Sequence, residues 1–282
     1  MIHQYIIKHY LRIVKGDFTI MAQIWRDERI YIHGVGVDRL SFEQATERIG
    51  ILLTQDRSCA ASVFTPNAEM IYRAACDRDI SSLLSSGDVN TADGVGTVWA
   101  SRRLGTPLPE RVPGIELGEA ALKIAAECGL GVFLVGGKPG VADRAAERLK
   151  QRLPSLIITG THHGYFEDGG DEEAALKSRI RESGARLLIV CLGFPRQERW
   201  IATNKSELGA VRVAMALGGS LDVWSGEVRR APYLVRKMRL EWMWRILGDP
   251  RRWHRAAALP RFVILTIKNR KKVVAYLNES QK

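Results

Sequence analysis

Polar residues and glycines follow five short apolar runs of the sequence. The five segments are Thr65-Pro66-Asn67, Asp93-Gly94, Gly136-Gly137, Gly193-Phe194-Pro195 and Gly218-Gly219. In open α/β sheets the carboxyl ends of parallel strands meet at one edge, and ligands bind in the crevice there. If the apolar runs are parallel strands, the five segments are predicted to line a single ligand site.

The segment from Val132 to Gly140 contains an apolar run, the pair Gly136-Gly137 and the start of a predicted helix. Glycine lets the backbone approach a phosphate closely, and a helix N-terminus supplies unpaired N–H groups. The spacing is neither G-x-G-x-x-G nor that of a Walker A loop. A nucleotide-binding turn and an ordinary tight turn both remain open from these residues.

Asp93 stands between an apolar run and Gly94-Val95-Gly96. A carboxylate at the end of a strand can act as a general base, which takes a proton from a substrate hydroxyl in the crevice. Aspartate is also a favoured helix N-cap, because its oxygen accepts from the first free N–H groups of the helix. Both roles are open at this stage.

Arg111 and Gln197 are two further polar candidates. Arg111 lies in a proline-rich loop, where a guanidinium can bind a phosphate or carboxylate or can simply face solvent. Gln197 follows Gly193 and Pro195 and is predicted in the first turn of a helix. There it could cap the helix or bind a sugar hydroxyl.

Metal-binding patterns are weak in this sequence. The adjacent pair His162-His163 is expected to diverge on a strand or helix, which makes joint ligation of one ion awkward, so no metal is predicted. The four cysteines show no metal-ligand spacing and are expected to be buried free thiols.

Short apolar runs alternate with amphipathic stretches along the middle of the chain, a pattern typical of a parallel sheet covered by helices on both faces. The fold class is therefore α/β. Strands are predicted over 30–37, 60–65, 89–92, 131–135, 156–161, 186–192 and 211–217, and helices over 41–54, 68–76, 94–103, 114–128, 140–152, 171–183 and 197–206.

The net charge of +11 is concentrated near the C-terminus. Between Arg229 and Lys272 there are 14 Lys and Arg residues but only two acids, and three of the seven tryptophans lie in the same region. Tryptophan interleaved with arginine is typical of a helix at a membrane surface. Phospholipid, nucleic acid and a phosphorylated substrate are all candidate partners, and a solubilising tail or a hairpin packed on the body is the alternative.

Ordered motifs make the chain similar to the WecG/TagA/CpsF family of bacterial glycosyltransferases, over roughly Ile30 to Arg255. The resemblance depends on several motifs taken together: Thr65-Pro66-Asn67-Ala68-Glu69-Met70, Ala92-Asp93-Gly94-Val95-Gly96, Glu110-Arg111-Val112-Pro113-Gly114, Phe133 to Gly140, His163-Gly164-Tyr165-Phe166, Leu192 to Glu198, Gly226 to Pro232, and Glu241-Trp242 with Arg245.

The resemblance implies an inverting glycosyltransferase with a Rossmann-like α/β body. It would move a sugar from a UDP-sugar to an undecaprenyl-diphosphate-linked sugar at the cytoplasmic face of the membrane, as in exopolysaccharide or cell-envelope synthesis. No metal or other cofactor is implied, and a basic helical C-terminal appendage would contact an anionic membrane surface. The donor, a hexose or an N-acetylhexosamine-type sugar, does not follow from the resemblance, and a homo-oligomer is compatible with it.

The resemblance gives the catalytic residues and the arm arginines of the predicted site, and the strand-end segments give the residues around the nucleotide. Asp93 corresponds to the family's proposed base. The other predicted site residues are Thr65, Arg111 and Gln197 in the catalytic centre, Asn67, Gly136, Gly137, Gly193, Pro195 and Gly219 around the nucleotide, and Arg245, Arg252 and Arg255 on the diphosphate.

The expected organisation has three parts. Residues 1–28 form an N-terminal extension that is either disordered or not native, residues 29–231 the catalytic body, and residues 232–282 the basic arm. Two other classes of function remain alternatives. A nicotinamide-dependent oxidoreductase fits the α/β pattern but lacks the G-x-G-x-x-G fingerprint. A nucleic-acid-binding protein fits the basic, tryptophan-containing arm but leaves the nearly neutral body without a task.

Overall fold

The computed structural model describes residues 29–229, 231–232, 235, 244 and 257–280. Arg245, Arg252 and Arg255, together with the extension over residues 1–28, lie outside these ranges. Within the described ranges, the elements in chain order are β1 (Arg29–Ile32), β2 (Val35–Asp38), α1 (Phe42–Thr54), β3 (Ala61–Phe64), α2 (Ala68–Cys76), α3 (Arg78–Ser85), β4 (Val89–Asn90), α4 (Val95–Arg103), α5 (Gly114–Glu127), β5 (Gly131–Gly136), α6 (Val141–Arg152), β6 (Ile157–His162), α7 (Asp171–Glu182), β7 (Leu187–Cys191), α8 (Arg196–Asn204), β8 (Val213–Ala216), α9 (Ser220–Trp224) and α10 (Ala258–Ser280).

Six strands form one parallel sheet in the order β4-β3-β8-β7-β5-β6. The predicted α/β class with a Rossmann-like parallel sheet is confirmed, and the predicted elements agree with the observed ones within two residues at each end, apart from the first strand. Short helices α3 and α9 were not predicted, since each offers too few turns for a clear apolar period.

The predicted strand over 30–37 is wrong. The segment is a two-stranded antiparallel hairpin, β1 with β2, that turns at His33 and Gly34. Both residues have positive φ, 49° and 90°, which a continuous strand does not contain. The apolar residues on both sides hid the turn, because only one glycine marks it.

Central strand β7 separates the two layers of the core. Leu187 and Ile189 pack into a cluster with residues of α1, α5 and α6, whereas Leu188 and Val190 pack with residues of α7 and α8. Alternate side chains of a strand point to opposite faces of the sheet, so a strand buried on both faces must be apolar throughout. This explains why β7 has five successive buried residues.

Helix α10 belongs to the predicted arm and packs on the body against α2 and α4. Phe262, only 1% exposed, joins the cluster formed by β1, β2, α2 and α3. Thr266 and Asn269 contact the ring of His33 at 2.9 Å each. A helical appendage is therefore confirmed, and part of it is packed on the body. Within the described ranges, no helix combines the length and the apolar character that crossing a membrane requires.

The expectation that all four cysteines are buried is wrong for Cys76 and Cys128, which are exposed near the ends of α2 and α5. Cys191, at the end of β7, is buried, and burial raises the pKa of its thiol to about 12. None of the four forms a disulfide with another.

Candidate functional site

A cleft of about 1050 Å³ opens at the carboxyl edge of the sheet. The predicted residues that line it are Thr65, Asn67, Asp93, Arg111, Gly137, Gly193, Gln197 and Gly219. Gly136 and Pro195 are adjacent to lining residues but are not themselves in the wall. The sheet thus gathers segments that are far apart in the sequence, as the rule for parallel strands predicts.

Backbone hydrogen bonds join the segments after β3 and β4 to the arginine loop. Asp93 N–H donates to the carbonyl of Pro66 at 3.2 Å, and Val112 N–H donates to the carbonyl of Ala92 at 2.9 Å. A Cβ on Gly114 would lie 2.9 Å from Thr65 Oγ1, so only glycine lets α5 begin this close to Thr65. These contacts hold Thr65, Asp93 and Arg111 on the same side of the cleft.

Asp93 is half-buried in the cleft wall and does not occupy the N-cap position of α4. That position belongs to Gly94, whose φ of 87° is easily adopted only by glycine. Thr97 Oγ1 donates to the main-chain carbonyl of Asp93 at 3.1 Å and so fixes its backbone. Asp93 is therefore not the N-cap residue of α4, and it is one of the residues that line the cleft.

Asn67 has both a structural and a cleft-facing position. It is the N-cap of α2, and its Oδ1 accepts from Met70 N–H at 3.1 Å. The same residue lines the cleft. Asn67 therefore holds the start of α2 in place at the cleft wall.

The glycine turn after β5 owes its first glycine to packing. A Cβ on Gly136 would lie 2.3 Å from the carbonyl oxygen of Cys191. That oxygen belongs to the backbone of β7 and cannot move aside, so only glycine fits here. Gly137, with φ of 72°, then brings the chain into the cleft wall, followed by the exposed Lys138. Gly137 N–H donates to the carbonyl of Cys191 at 3.4 Å, so the group that the turn presents to the cleft is the Lys138 ammonium, which suits a phosphate.

Gln197 is 4% exposed and uses its side-chain amide to join two strand ends. Its Oε1 accepts from Gly193 N–H at 3.3 Å, after β7, and from Gly218 N–H at 3.0 Å, after β8. Its Nε2 donates to Glu198 Oε1 at 2.8 Å. The amide thus positions both glycine segments of the cleft. This positioning role differs from helix capping and from binding of a sugar hydroxyl, the two alternatives that the sequence left open.

Glu198, fully buried behind Gln197, is a functional candidate that sequence analysis missed. Burial raises the pKa of its carboxyl to about 7, although the hydrogen bond from Gln197 opposes that rise. In the part of the chain that the structure describes, Glu198 Oε2 has no hydrogen-bond partner. The sequence does not reveal that Glu198 is buried. An acid in the first turn of a helix is ordinarily exposed to solvent, where it interacts favourably with the helix dipole.

Arg196 fastens the opposite wall of the cleft. Its guanidinium donates to the carbonyls of Gly164 and Phe166 at 2.6 and 2.5 Å and to Asp168 at 2.8 Å. It also stacks on the Phe166 ring, 4.5 Å from the centroid. Because these donors are already used, Arg196 shapes the wall, with Tyr165 exposed at its surface.

Charged groups of both signs face the cleft. Asp93 and Arg111 were predicted from the sequence, whereas Lys138 and Asp222, which also line the cleft, were not. Lys138 had a signal, since it follows Gly136-Gly137 directly, and Asp222 lies in the first turn of a helix after Gly218-Gly219. Carboxylates that can accept a proton and cationic side chains that can bind an anion therefore line the same cleft.

The expectation that His162 and His163 diverge is wrong. Their ring centroids are 4.5 Å apart, and both Nε2 atoms face Glu172 Oε1, at 3.5 and 3.3 Å. The chain leaves β6 at His162, so the alternation of a regular strand no longer applies to His163. Glu172, ten residues further along, is the third member that the sequence did not reveal. These three residues could hold a metal ion.

A parallel α/β sheet with a polar cleft at its carboxyl edge is typical of enzymes that bind their ligands at the strand ends. Comparison with known proteins identifies the family within this class. Residues 30–275 match the Glycosyl transferase WecG/TagA/CpsF family, so the chain belongs to this family. The match extends past the region of sequence resemblance into α10. The family assignment is thereby confirmed.

Curated relatives agree with the family. A Staphylococcus aureus (strain MW2) protein is 34% identical over 245 residues, covering 87% of this chain and 94% of its own length. The protein of strain NCTC 8325 / PS 47 has the same identity and coverage. Both are named N-acetylglucosaminyldiphosphoundecaprenol N-acetyl-beta-D-mannosaminyltransferase.

Proposed function

We propose that this glycosyltransferase moves a hexose or N-acetylhexosamine-type sugar from a UDP-sugar to an undecaprenyl-diphosphate-linked sugar, with inversion at the anomeric carbon. The observation that supports this most directly is the single cleft that gathers Thr65, Asp93, Arg111 and the glycine segments. The relatives' name, which describes transfer to a lipid-diphosphate-linked sugar, supports the acceptor class. The product would enter exopolysaccharide or cell-envelope synthesis.

In this proposal Asp93 is the general base. Its carboxylate takes the proton of the acceptor hydroxyl while that oxygen forms a bond to the anomeric carbon of the donor. The bond from this carbon to the UDP oxygen breaks on the opposite face, and UDP leaves with the bonding electrons. A positioned base typically contributes about 10²–10⁴-fold to such a step.

The departing diphosphate needs positive charge near it. Arg111 and Lys138 line the cleft and supply two cationic side chains. Oriented cations and N–H groups stabilise charge that develops on a leaving group. We propose that these groups, with Arg245, Arg252 and Arg255 of the arm, perform this task without a metal, and that no other cofactor takes part.

A membrane surface is the proposed location of the reaction, at its cytoplasmic face. Val263, Ile264 and Ile267 project from α10 on the side away from the body and are 39%, 52% and 41% exposed. Exposed Arg261 and Lys268 flank this apolar stripe. A helix of this kind can bury its stripe at the headgroup boundary, while each basic residue near an anionic surface adds about 1 kcal/mol.

The decisive experiment is a panel of UDP-sugars tested with the full chain and a short-chain lipid-diphosphate-linked acceptor, with UDP release as the readout. The proposal expects release that depends on both donor and acceptor and persists in the presence of EDTA. Tight binding of NAD with no binding of UDP would instead favour an oxidoreductase. Preference for DNA over anionic liposomes at physiological salt would contradict the membrane role of the arm.

A further inference from the structure

His162, His163 and Glu172 bring three ligand atoms together at the end of β6 and the start of α7. One ring nitrogen of each histidine and one carboxylate oxygen of Glu172 all lie within 4.8 Å of one another. His162 has 10% and His163 30% of its side chain exposed, so the histidines are partly sheltered, whereas Glu172 is 47% exposed. None of the three belongs to the described residues that line the cleft.

The distances between these atoms suit a tetrahedral ion. Zinc binds imidazole nitrogen and carboxylate oxygen at about 2.0–2.2 Å, which sets the edge of a tetrahedron at roughly 3.3–3.6 Å. Glu172 Oε1 lies 3.5 Å from His162 Nε2 and 3.3 Å from His163 Nε2. Two of the three edges therefore already have the required length.

Hydrogen bonding fixes the tautomer of His162. Its Nδ1 lies 2.8 Å from the main-chain carbonyl of His163, which can only accept, so Nδ1 bears the proton. Its Nε2 then presents a lone pair to the Glu172 carboxylate, and two acceptors face each other. A cation between them removes this conflict. Metal-bound histidines characteristically donate their second ring N–H to a carbonyl in this way.

His163 needs one tautomer change. Its Nδ1 accepts from Tyr165 N–H at 3.3 Å, so in the neutral ring Nε2 bears the proton and faces Glu172. Ligation through Nε2 moves this proton to Nδ1 and costs that single long hydrogen bond. One further position of the tetrahedron stays open to water.

We propose that His162, His163 and Glu172 form a binding site for a divalent transition metal, with zinc as the best match to two imidazoles and one carboxylate. The site is separate from the proposed metal-free transfer. The metal would clamp the residues that precede Gly164 and Tyr165 to α7. Since Gly164 N–H donates to the carbonyl of Gly137 at 2.8 Å, the clamp would steady one wall of the cleft.

Zinc binding by the full chain tests this proposal without any assay of transfer. The protein, first treated with a chelator, is titrated with zinc against a chromophoric competitor at pH 7.5, in a background with the exposed Cys76 and Cys128 changed to serine. We expect one zinc per chain, a rise in melting temperature on zinc addition, and the visible absorption of tetrahedral cobalt when cobalt replaces zinc.

Glu172→Gln and His162→Ala should each weaken zinc binding by at least about tenfold. Glu182→Gln, which removes an exposed acid at the other end of α7, is the matched control and should leave binding unchanged. Absence of zinc binding, or equal binding by Glu172→Gln and Glu182→Gln, would overturn the proposal. A melting temperature that rises at lower pH but not on zinc addition would also overturn the proposal. In that case a proton, and not a metal ion, would lie between His162 and Glu172.

Discussion

The side-chain amide of Gln197 donates to the buried carboxyl of Glu198 at 2.8 Å while its oxygen accepts from two glycine N–H groups after β7 and β8. The orientation of Gln197 is set by these partners, since an amide that accepts on one side must donate on the other. Glu198 therefore determines how Gln197 holds the two strand ends of the cleft.

The raised pKa of Glu198 predicts a specific pH dependence of stability. Because burial raises its pKa from 4.5 to about 7, the folded chain holds this proton more tightly than the unfolded chain does. The contribution of protonated Glu198 to the free energy of unfolding is fully present below pH 4.5. It is lost as the pH rises to about 7, and the total loss is about 3 kcal/mol. Glu198→Gln should therefore match the wild type near pH 5 and exceed its free energy of unfolding at pH 8.

Urea unfolding of both proteins at pH 5 and pH 8 measures this difference. Glu182→Gln, at an exposed acid, serves as the control and should show no such divergence. A wild type and a Glu198→Gln variant whose stability difference is the same at both pH values would show that Glu198 titrates normally.

Replacing Gln197 by leucine should disturb the cleft more than the rest of the fold. The change removes an acceptor for Gly193 and Gly218 N–H and the donor to Glu198, and an unsatisfied buried polar group costs about 1–3 kcal/mol. We expect a loss of about 2–4 kcal/mol in the free energy of unfolding and weaker binding of UDP. Gln151→Leu, at an exposed site at the end of α6, is the comparison, and equal losses in the two variants would deny Gln197 its positioning role.

Asp93→Asn keeps the shape of the side chain but removes its basicity. We expect the rate of sugar transfer to fall by about 10²–10⁴-fold, with little change in the affinity for UDP, because the proposed base would act on the acceptor hydroxyl and not on UDP. Single-turnover transfer and equilibrium UDP binding separate these effects. Asp79→Asn, at an exposed site on α3, should transfer at the wild-type rate. An Asp93→Asn protein as fast as the wild type would remove Asp93 from the mechanism.

His33 links the docking of α10 to pH. Thr266 Oγ1 donates to the carbonyl of Phe262, so it accepts from His33 Nε2–H, and Nδ1 must accept from the Asn269 amide. A second proton on the ring would face that amide. Burial lowers the pKa of His33 below 6.5, so its stabilising contribution is present above pH 6.5 and is lost as the pH falls through the folded-state pKa.

Asn269→Asp should reverse this dependence, because a carboxylate accepts from the protonated ring. Urea unfolding at pH 5.5 and pH 7.5 is the measurement. The stability of the variant relative to the wild type is expected to rise as the pH falls. If the difference between the two proteins does not change with pH, His33 does not govern the docking of α10.

The apolar stripe of α10 predicts that one charge should weaken membrane binding. Ile264→Glu places a carboxylate within the stripe at a position that is 52% exposed, so folding should be unaffected. Flotation with anionic liposomes should recover markedly less of this variant than of the wild type. Ile157→Glu changes an equally accessible isoleucine, 47% exposed, on the body. If both variants float as the wild type does, the stripe does not contact the membrane.

The sequence by itself determined the layered α/β fold, because each buried strand such as β7 must be apolar on both faces and each helix must show its period. It also determined which strand ends meet, so Thr65, Asp93 and Gly193 could be placed in one cleft from local signals alone. The His33-Gly34 turn was missed because its apolar neighbours resemble one continuous strand.

Only the tertiary structure decided which groups share a proton or an ion. Glu198 is an ordinary acid of a first helical turn until the packing of two layers removes water from it, and that desolvation raises its pKa. Glu172 meets His162 and His163 only because α7 begins beside the end of β6. Such partnerships depend on distances of 3–4 Å between residues separated in sequence, and no local pattern encodes those distances.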